Sequence, residues 1–390
     1  MSRTVAVTGI GVVTPLEGGS GIDDFWDALI EGVNAVSPVE LFDVSGYSTG
    51  VAAEIKEFRN LAGEGRWFSF LKTSFDMALN NACLDPEDID KRRAGIIVGT
   101  VLGEIHRGEA CWRDGGGEPP YKYHLFSGAE RLAEEHGFKG PVTTISTACA
   151  SGTDAIGMAS RSILDGAADV MIAGGGDVLS EFAFSGFNCL GAMTGSAVRP
   201  FDADRDGLAL GEGAAFLVLE EMERALERSA NIYGEVSGYA ACSDAVHMTA
   251  PDREGEGLAR AIRDSLRDAG RDHIDYINAH GTGTLYNDLM ETRAIKRVFG
   301  KQAYKIPVSS VKSMLGHSFG AAGAIEAAVC LLAMRGAVIP PTANLRNQDP
   351  ECDLDYVPGE KRPGGLCSAM SLSAGFGGQN AALVLESLHA

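Results

Sequence analysis

Three things are scarce in this chain, and each scarcity removes a class of function. Basic residues are outnumbered: 33 Lys and Arg stand against 53 Asp and Glu, a formal net charge of −20. A nucleic-acid partner needs a basic footprint for its phosphates, and none stands out, so that class is set aside. Acidity of this kind more often serves solubility than function. Paired cysteines are also missing. No two of the eight form a C-x-x-C pair, which argues against a zinc site and against a disulfide framework. Long apolar runs are absent too: none reaches the roughly 18 uncharged apolar residues that a membrane span requires. A strand pattern, Thr4–Gly9, begins almost at once, with no charged and apolar leader before it. A reducing cytoplasm is the expected compartment, with no membrane or metal.

What is present describes a large globular enzyme. The 390 residues are 45% hydrophobic and 22% charged, enough for two domains or one large double domain with ample core. Fifty glycines cluster in tight turns such as Gly174–Gly176 and Gly375–Gly378, not in a linker. Short apolar runs (Val5–Thr8, Gly95–Gly99, Val142–Ile145, Val170–Ala173, Ala214–Leu219, Ile274–Asn278, Val308–Ser310, Ala382–Leu385) alternate with helical patterns. The latter are Phe25–Gly32, Phe68–Cys83, Ala129–His136, Thr153–Leu164, Leu258–Ala269, Leu289–Val298 and Ala322–Met334. Such alternation implies an α/β protein with covered sheets.

The chain also echoes itself. Residues 211–220 resemble 377–386: each is a glycine-rich turn followed by a strand ending in Glu. Upstream of each lies a polar turn with a reactive side chain, then a small-residue helix, at Cys149–Leu164 and His317–Met334. A duplicated unit with halves 1–235 and 236–390 follows. Equivalent turns of such a unit lie near its pseudo-twofold axis, so Cys149 and His317 are expected to face each other.

Cys149 stands where the β-branched run 141–145 gives way to a helix whose first turns carry only small side chains. Unpaired N–H groups and the helix dipole at that junction favour thiolate over thiol. On this motif alone a buried structural cysteine is an equal reading. Of eight histidines, two have glycine-flanked settings: His280 after the run 274–279, and His317 in Lys312-Ser313-Met314-Leu315-Gly316-His317. His106, His124, His136, His247, His273 and His389 lie in polar or terminal contexts. One thiol and two imidazoles without an orienting carboxylate differ from a hydrolytic triad. Two neutral imidazoles donating to one oxygen would stabilise an enolate while the sulfur carries an acyl group. These are the parts of a carbon–carbon condensation.

With these motifs the chain resembles the β-ketoacyl-acyl carrier protein synthases of the elongating Cys-His-His class. The likeness runs through Thr8–Pro15, Thr147-Ala148-Cys149, Arg199–Asp202, Arg205–Gly207, Gly211–Gly213, Ser243–Ala245, Asn278–Thr282, Lys312–His317 and Gly375–Gly378. The resemblance implies a thiolase-like α/β fold, duplicated halves in αβαβα layers. It implies Cys149 as the acylated nucleophile and His280 and His317 as the pair that promotes malonyl decarboxylation. Lys312 matches the active-site lysine and Glu326 its carboxylate partner. The backbone N–H groups of Cys149 and Phe376 match an oxyanion hole, and the Phe376 ring an aromatic gate. Thr282 and Thr284 match hydroxyls that bind phosphopantetheine.

By the same resemblance no cofactor is needed beyond the phosphopantetheine of acyl carrier protein, which is the partner. A homodimer is expected, or a heterodimer with a ketosynthase-like subunit. The charged stretches Glu104–Glu109, Arg113–Gly117 and Glu130–Glu135 replace a largely apolar segment, and Ala374 and Gln379 replace the usual Phe and Thr. These departures point to a remodelled pocket and to specialised polyketide or polyene synthesis beside fatty-acid synthesis. Arg59, Arg66, Lys72 and Lys91–Arg93 are the candidates for docking an acidic carrier. The rival readings are a thiolase-type acyl-CoA enzyme, a non-catalytic chain-length partner and a cysteine hydrolase. A thiolase would want a second thiol where Gly375–Gly377 has none, and a chain-length partner normally lacks the nucleophile.

Overall fold

A computed structural model describes residues 3–16, 21–58, 65–113, 115 and 124–388. Of the residues singled out above, Arg59, Asp114, Gly116, Gly117 and His389 lie outside that range. Ten strands form one sheet. They are β1 (Val5–Val13), β2 (Ala94–Gly99), β3 (Val142–Ile145), β4 (Val170–Asp177) and β5 (Gly213–Glu221), then β6 (Gly234–Ser243), β7 (Tyr276–Asn278), β8 (Val308–Ser309), β9 (Ser368–Gly375) and β10 (Gln379–Glu386). Their spatial order is β8-β7-β9-β10-β6-β1-β5-β4-β2-β3.

Outward from the middle, the first half therefore reads 1-5-4-2-3 and the second 6-10-9-7-8. These are the same permutation shifted by five. Pairing directions repeat as well: antiparallel for β1–β5, β5–β4, β6–β10 and β10–β9, parallel for β4–β2, β2–β3, β9–β7 and β7–β8. The echo seen in the sequence is β5 against β10. Only two residue pairs, Ala6↔Glu235 and Val7↔Gly234, join the halves across β1–β6.

The longer helices, beside short ones at Met222–Glu227 and Lys312–Leu315, are α1 (Ile22–Ile30), α2 (Arg66–Asn81), α3 (Ile105–Arg113), α4 (Ser127–His136), α5 (Ser151–Leu164), α6 (Glu181–Cys189), α7 (Glu256–Ala269), α8 (Leu285–Phe299) and α9 (Ala322–Gly336). The equivalent helices α5 and α9 touch each other and touch strands of both halves. The helices α2 and α7 cover the outer faces of the first and second halves. Five layers result, αβαβα, and the apolar core divides into a central cluster, two outer ones and a fourth, smaller one around Phe184 and Phe319.

Glycine sets the close approaches. A Cβ at Gly9 would lie 2.3 Å from the Ala78 carbonyl and one at Gly11 1.9 Å from that of Ser74, so α2 lies directly on β1. Between the layers, a Cβ at Gly152 on α5 would lie 2.7 Å from the Gly320 carbonyl, just ahead of α9.

Residues 319–336 are long and apolar enough to cross a membrane by composition, but they carry Glu326 and Arg335 and are 89% buried as the central helix. The strands β6 and β9 and the helices α3 and α6 were not legible as elements. β9 reads SAMSLSAG, with no β-branched or aromatic residue, and is a strand because it is buried between two neighbours.

Candidate active site

The nucleophile stands on an elbow. Between β3 and α5 the chain turns at Ala148, which holds φ 51°, a left-handed conformation that costs a residue with a Cβ about 1 kcal/mol or more. Opposite it, Gly375 closes the approach, since a Cβ there would lie 2.9 Å from the Cys149 nitrogen. His280 follows β7, and its position is fixed from behind by Glu291 of α8. That carboxylate accepts the His280 N–H at 2.6 Å and the Gly281 N–H at 2.8 Å. His317 follows Gly316, which holds φ 66°, and its backbone is bonded on both sides to residues 209 and 211. Three separate stretches thus deliver three side chains to one place. The Cys149 Sγ and one nitrogen of each imidazole all lie within 4.8 Å of one another, all in buried side chains.

Contacts within the group assign roles. His317 Nε2 lies 2.9 Å from Cys149 Sγ. Lys312 is ion-paired with Glu326, both buried, and its Nζ lies 3.3 Å from His280 Nδ1. An ammonium has only protons to give, so His280 Nδ1 accepts and its proton is assigned to Nε2. Lys312 is therefore more than half of an internal ion pair: it sets the tautomer that makes His280 a donor. Burial holds both imidazoles well below their usual pKa, and Lys312 deepens the effect, so both rings are neutral. Burial also raises the Glu326 carboxyl to about 7, against the pull of Lys312.

The expectation of a resting thiolate is corrected. Burial pushes Cys149 up to about 11, although Lys312 and a hydrogen bond from the Phe376 N–H pull it down. The reason is local. The amides of Ala150 and Ser151 are taken by the elbow's own carbonyls at Thr147 and Ala148, so neither points at the sulfur. The resting pair is a thiol donating to a neutral imidazole.

The remaining site residues fall around this centre. Phe376 follows β9, and the turn beyond it needs Gly377 at φ 79° and Gly378 at φ 73°. Its ring stacks on Phe187 at 5.3 Å; Phe187 meets Phe319 at 5.9 Å, and Phe319 stacks on His317 at 6.0 Å. This ladder was not foreseen, because Phe187 lies on the unrecognised α6. Thr282 and Thr284 bond to each other at 2.9 Å and line the mouth of a cavity of about 300 Å³ that reaches Cys149, His280 and His317. Asp177, at the end of β4, was also missed. Its buried carboxyl accepts the N–H groups of Val101, Leu102 and Gly320, tying the 100–103 loop to the chain just before α9. Its place at a strand's C-terminal end was the available signal.

Two expectations about charge change. None of the described residues of Glu104–Glu109, Arg113–Gly117 or Glu130–Glu135 lines the cavity at Cys149. Glu104 is buried and accepts the Phe68 N–H at the start of α2, while His106, Arg107, Glu109 and Arg113 border a second cavity of about 370 Å³. Among the described residues, the proposed docking cations are already neutralised: Arg66 by Glu212, Lys72 by Glu135, Arg92 by Asp90 and Arg93 by Asp169. Lys91 is placed near Glu87 and donates to the His136 carbonyl. No free basic patch remains among them.

Comparison with known proteins gives the same picture. The family profile described as beta-ketoacyl synthase, N-terminal domain, matches residues 2–225, and its C-terminal counterpart matches residues 233–346. The ketoacyl synthase alpha subunit of the tetracenomycin polyketide synthase of Streptomyces glaucescens is 41% identical over 98% of this chain and 97% of its own. The 3-oxoacyl-(acyl-carrier-protein) synthase 2 of Coxiella burnetii is 40% identical, covering 98% of each chain. Among solved structures, the ishigamide ketosynthase/chain length factor superposes with a TM-score of 0.93 at 37% identity, over 99% of this chain and all of that one.

Proposed function

The chain belongs to the β-ketoacyl synthase family, and from that premise we propose that it catalyses decarboxylative Claisen condensation of a Cys149-bound acyl chain with malonyl-acyl carrier protein. The product is a β-ketoacyl-acyl carrier protein, and the enzyme is an acyltransferase. One observation carries this reading: the Cys149 sulfur lies 2.9 Å from an imidazole nitrogen, with a second imidazole beside it whose free N–H is set by Lys312.

The steps follow from those contacts. His317 Nε2 takes the Cys149 proton as the sulfur attacks the acyl thioester, and the carrier's thiolate leaves with a proton from the imidazolium. The proton given up is the one on Nε2, which faces the reacting sulfur, and the ring is left neutral with its remaining proton on Nδ1. Malonyl-acyl carrier protein then enters past Thr282 and Thr284. Its C–carboxylate bond breaks, carbon dioxide leaves, and the electron pair passes to an enolate held by the Nε2–H of His280, with the His317 ring packed against it. The enolate carbon attacks the acyl carbonyl, whose oxyanion is received by the N–H groups of Cys149 and Phe376. Collapse expels the Cys149 sulfur as a thiolate, which takes one proton from water, the proton that decarboxylation of a carboxylate consumes overall. Both acyl groups arrive on phosphopantetheine, so the protein needs no cofactor of its own.

We assign the activity to specialised polyketide assembly with a ketosynthase-like partner subunit. The full-length similarity to a ketosynthase/chain length factor supports this, as does the ladder of flat rings beside Cys149, which suits a conjugated chain. Eight free cysteines fit a reducing cytoplasm. Cys149, present and adjacent to a base, disfavours a non-catalytic partner role. Among the described residues no second thiol lines the cavity, which disfavours a thiolase.

Intact-mass analysis after offering acyl-carrier proteins of graded length and unsaturation tests the reading. Cys149→Ala is expected to gain no acyl mass, and His280→Ala or His317→Ala to release carbon dioxide from malonyl-acyl carrier protein at least about 100-fold more slowly. Condensation retained in Cys149→Ala would overturn it.

A further inference from the structure

One buried carboxyl beside the nucleophile has no part in the steps above. Asp154, in the first turn of α5 and 5% exposed, receives hydrogen bonds from two hydroxyls of different origin. Thr147, two residues before Cys149, donates to its Oδ2. Tyr239, from β6 in the other half of the molecule, donates to its Oδ1 at 2.9 Å. Room for the Tyr239 ring on α5 exists only because residue 157 is glycine, where a Cβ would lie 2.2 Å from the ring. The residue between Thr147 and Cys149 is Ala148, the left-handed one. A strained turn persists only where its surroundings over-determine it, and here the strain is spanned from Thr147 to a helix anchored on the opposite half. Ser151 holds the same turn from inside, accepting the Thr147 N–H at 2.9 Å and donating to the Ala148 carbonyl at 2.6 Å.

We propose that Asp154 is a positioning residue for Cys149: through Thr147 it fixes the elbow, and through Tyr239 it locks that elbow to the second half, which carries His280 and His317. Aim of the sulfur at His317 Nε2 is therefore set across the interface between the repeats. The assignment rests on Cys149 being the nucleophile, but its primary readout, alkylation of the sulfur, needs no carrier protein, so failure of the condensation reading would show separately.

The test measures the rate of Cys149 carbamidomethylation by iodoacetamide, with Cys149 followed by peptide mass to separate it from the exposed Cys83, Cys189 and Cys367. Asp154→Asn, Thr147→Val and Tyr239→Phe are each expected to slow it about tenfold, the order of loss that misplacement of a reacting group by a fraction of an ångström brings. Thr147→Ser, which keeps the hydroxyl, is expected to react like the parent. After complete carbamidomethylation, the same variants should decarboxylate malonyl-acyl carrier protein within about twofold of the parent, because His280 and His317 are untouched. Parent-like alkylation in Thr147→Val and Tyr239→Phe would overturn the proposal. So would an equal fall in alkylation and decarboxylation, which marks a merely structural role.

Discussion

At the residue scale the active site is a set of neutral groups that burial keeps neutral. His280 and His317 both lie well below the ordinary imidazole value because charging them would cost desolvation beside Lys312. A depressed pKa in a base means that the neutral form persists as pH falls. Decarboxylation by the alkylated enzyme is therefore expected to show no inflection near about pH 6.5, where a solvated histidine titrates. A half-loss or half-gain of carbon dioxide release at that pH would contradict the buried pair. The thiol shifts the other way. With Cys149 raised to about 11, its alkylation rate should still climb beyond about pH 10, where an ordinary thiol of pKa about 8.5 has levelled off. A plateau below neutrality would restore the resting thiolate that the helix junction suggested.

At the scale of elements, the packing of α5 on α9 decides whether these residues meet. Gly152 occupies the first turn of α5, where a Cβ would also lie 2.8 Å from the Ala324 nitrogen of α9. Backbone on that side cannot move aside as a flexible side chain would. Gly152→Ala is expected to destabilise the protein by about 1–3 kcal/mol, read as a lower midpoint in thermal unfolding, and to slow Cys149 alkylation. Gly186, in α6 with open space where its Cβ would point, is the control: Gly186→Ala is expected to be neutral or slightly stabilising. An undisturbed midpoint in Gly152→Ala would contradict the packing.

The same elements show what was legible in the sequence. Cys149, His280 and His317 could be singled out because each follows an apolar run and is flanked by small residues, and the duplicated Gly-rich strands β5 and β10 exposed the repeat. Glu291 and Asp154 could not: each is an acidic residue within a helix, and only tertiary contact distinguishes it from a solvated one. Strand β9 escaped notice because its serines and alanines are strand-forming only when both neighbours are in place. The charged stretch from Glu104 misled for the converse reason: its charges are consumed by α2 or by a second cavity, and not one faces Cys149.

At the scale of the whole molecule, the two ends of the sheet differ. The end at β8 is closed: Val308 and Ser309 are buried, and the Val308 N–H donates to the Asp355 carbonyl. The end at β3 is open among the described residues. It has β2 as its single neighbour, a half-exposed Val142-Thr143-Thr144-Ile145, and no charge to blunt it. Such edges are templates for another strand, and folded proteins otherwise guard them. The two helices packed on β3 add apolar surface, with Met158 of α5 44% exposed and Phe126 at the start of α4 49% exposed. A neighbouring subunit that adds its own strand here would lengthen the sheet and cover both side chains. Its contact would lie one strand and one elbow away from Cys149. Thr143→Lys places a charge on this edge and is expected to halve the mass seen in sedimentation, with secondary structure unchanged. A parent protein that sediments as a monomer would show that no second copy of this chain covers the edge, and a Thr143→Lys variant that stays dimeric would show that the subunits meet elsewhere.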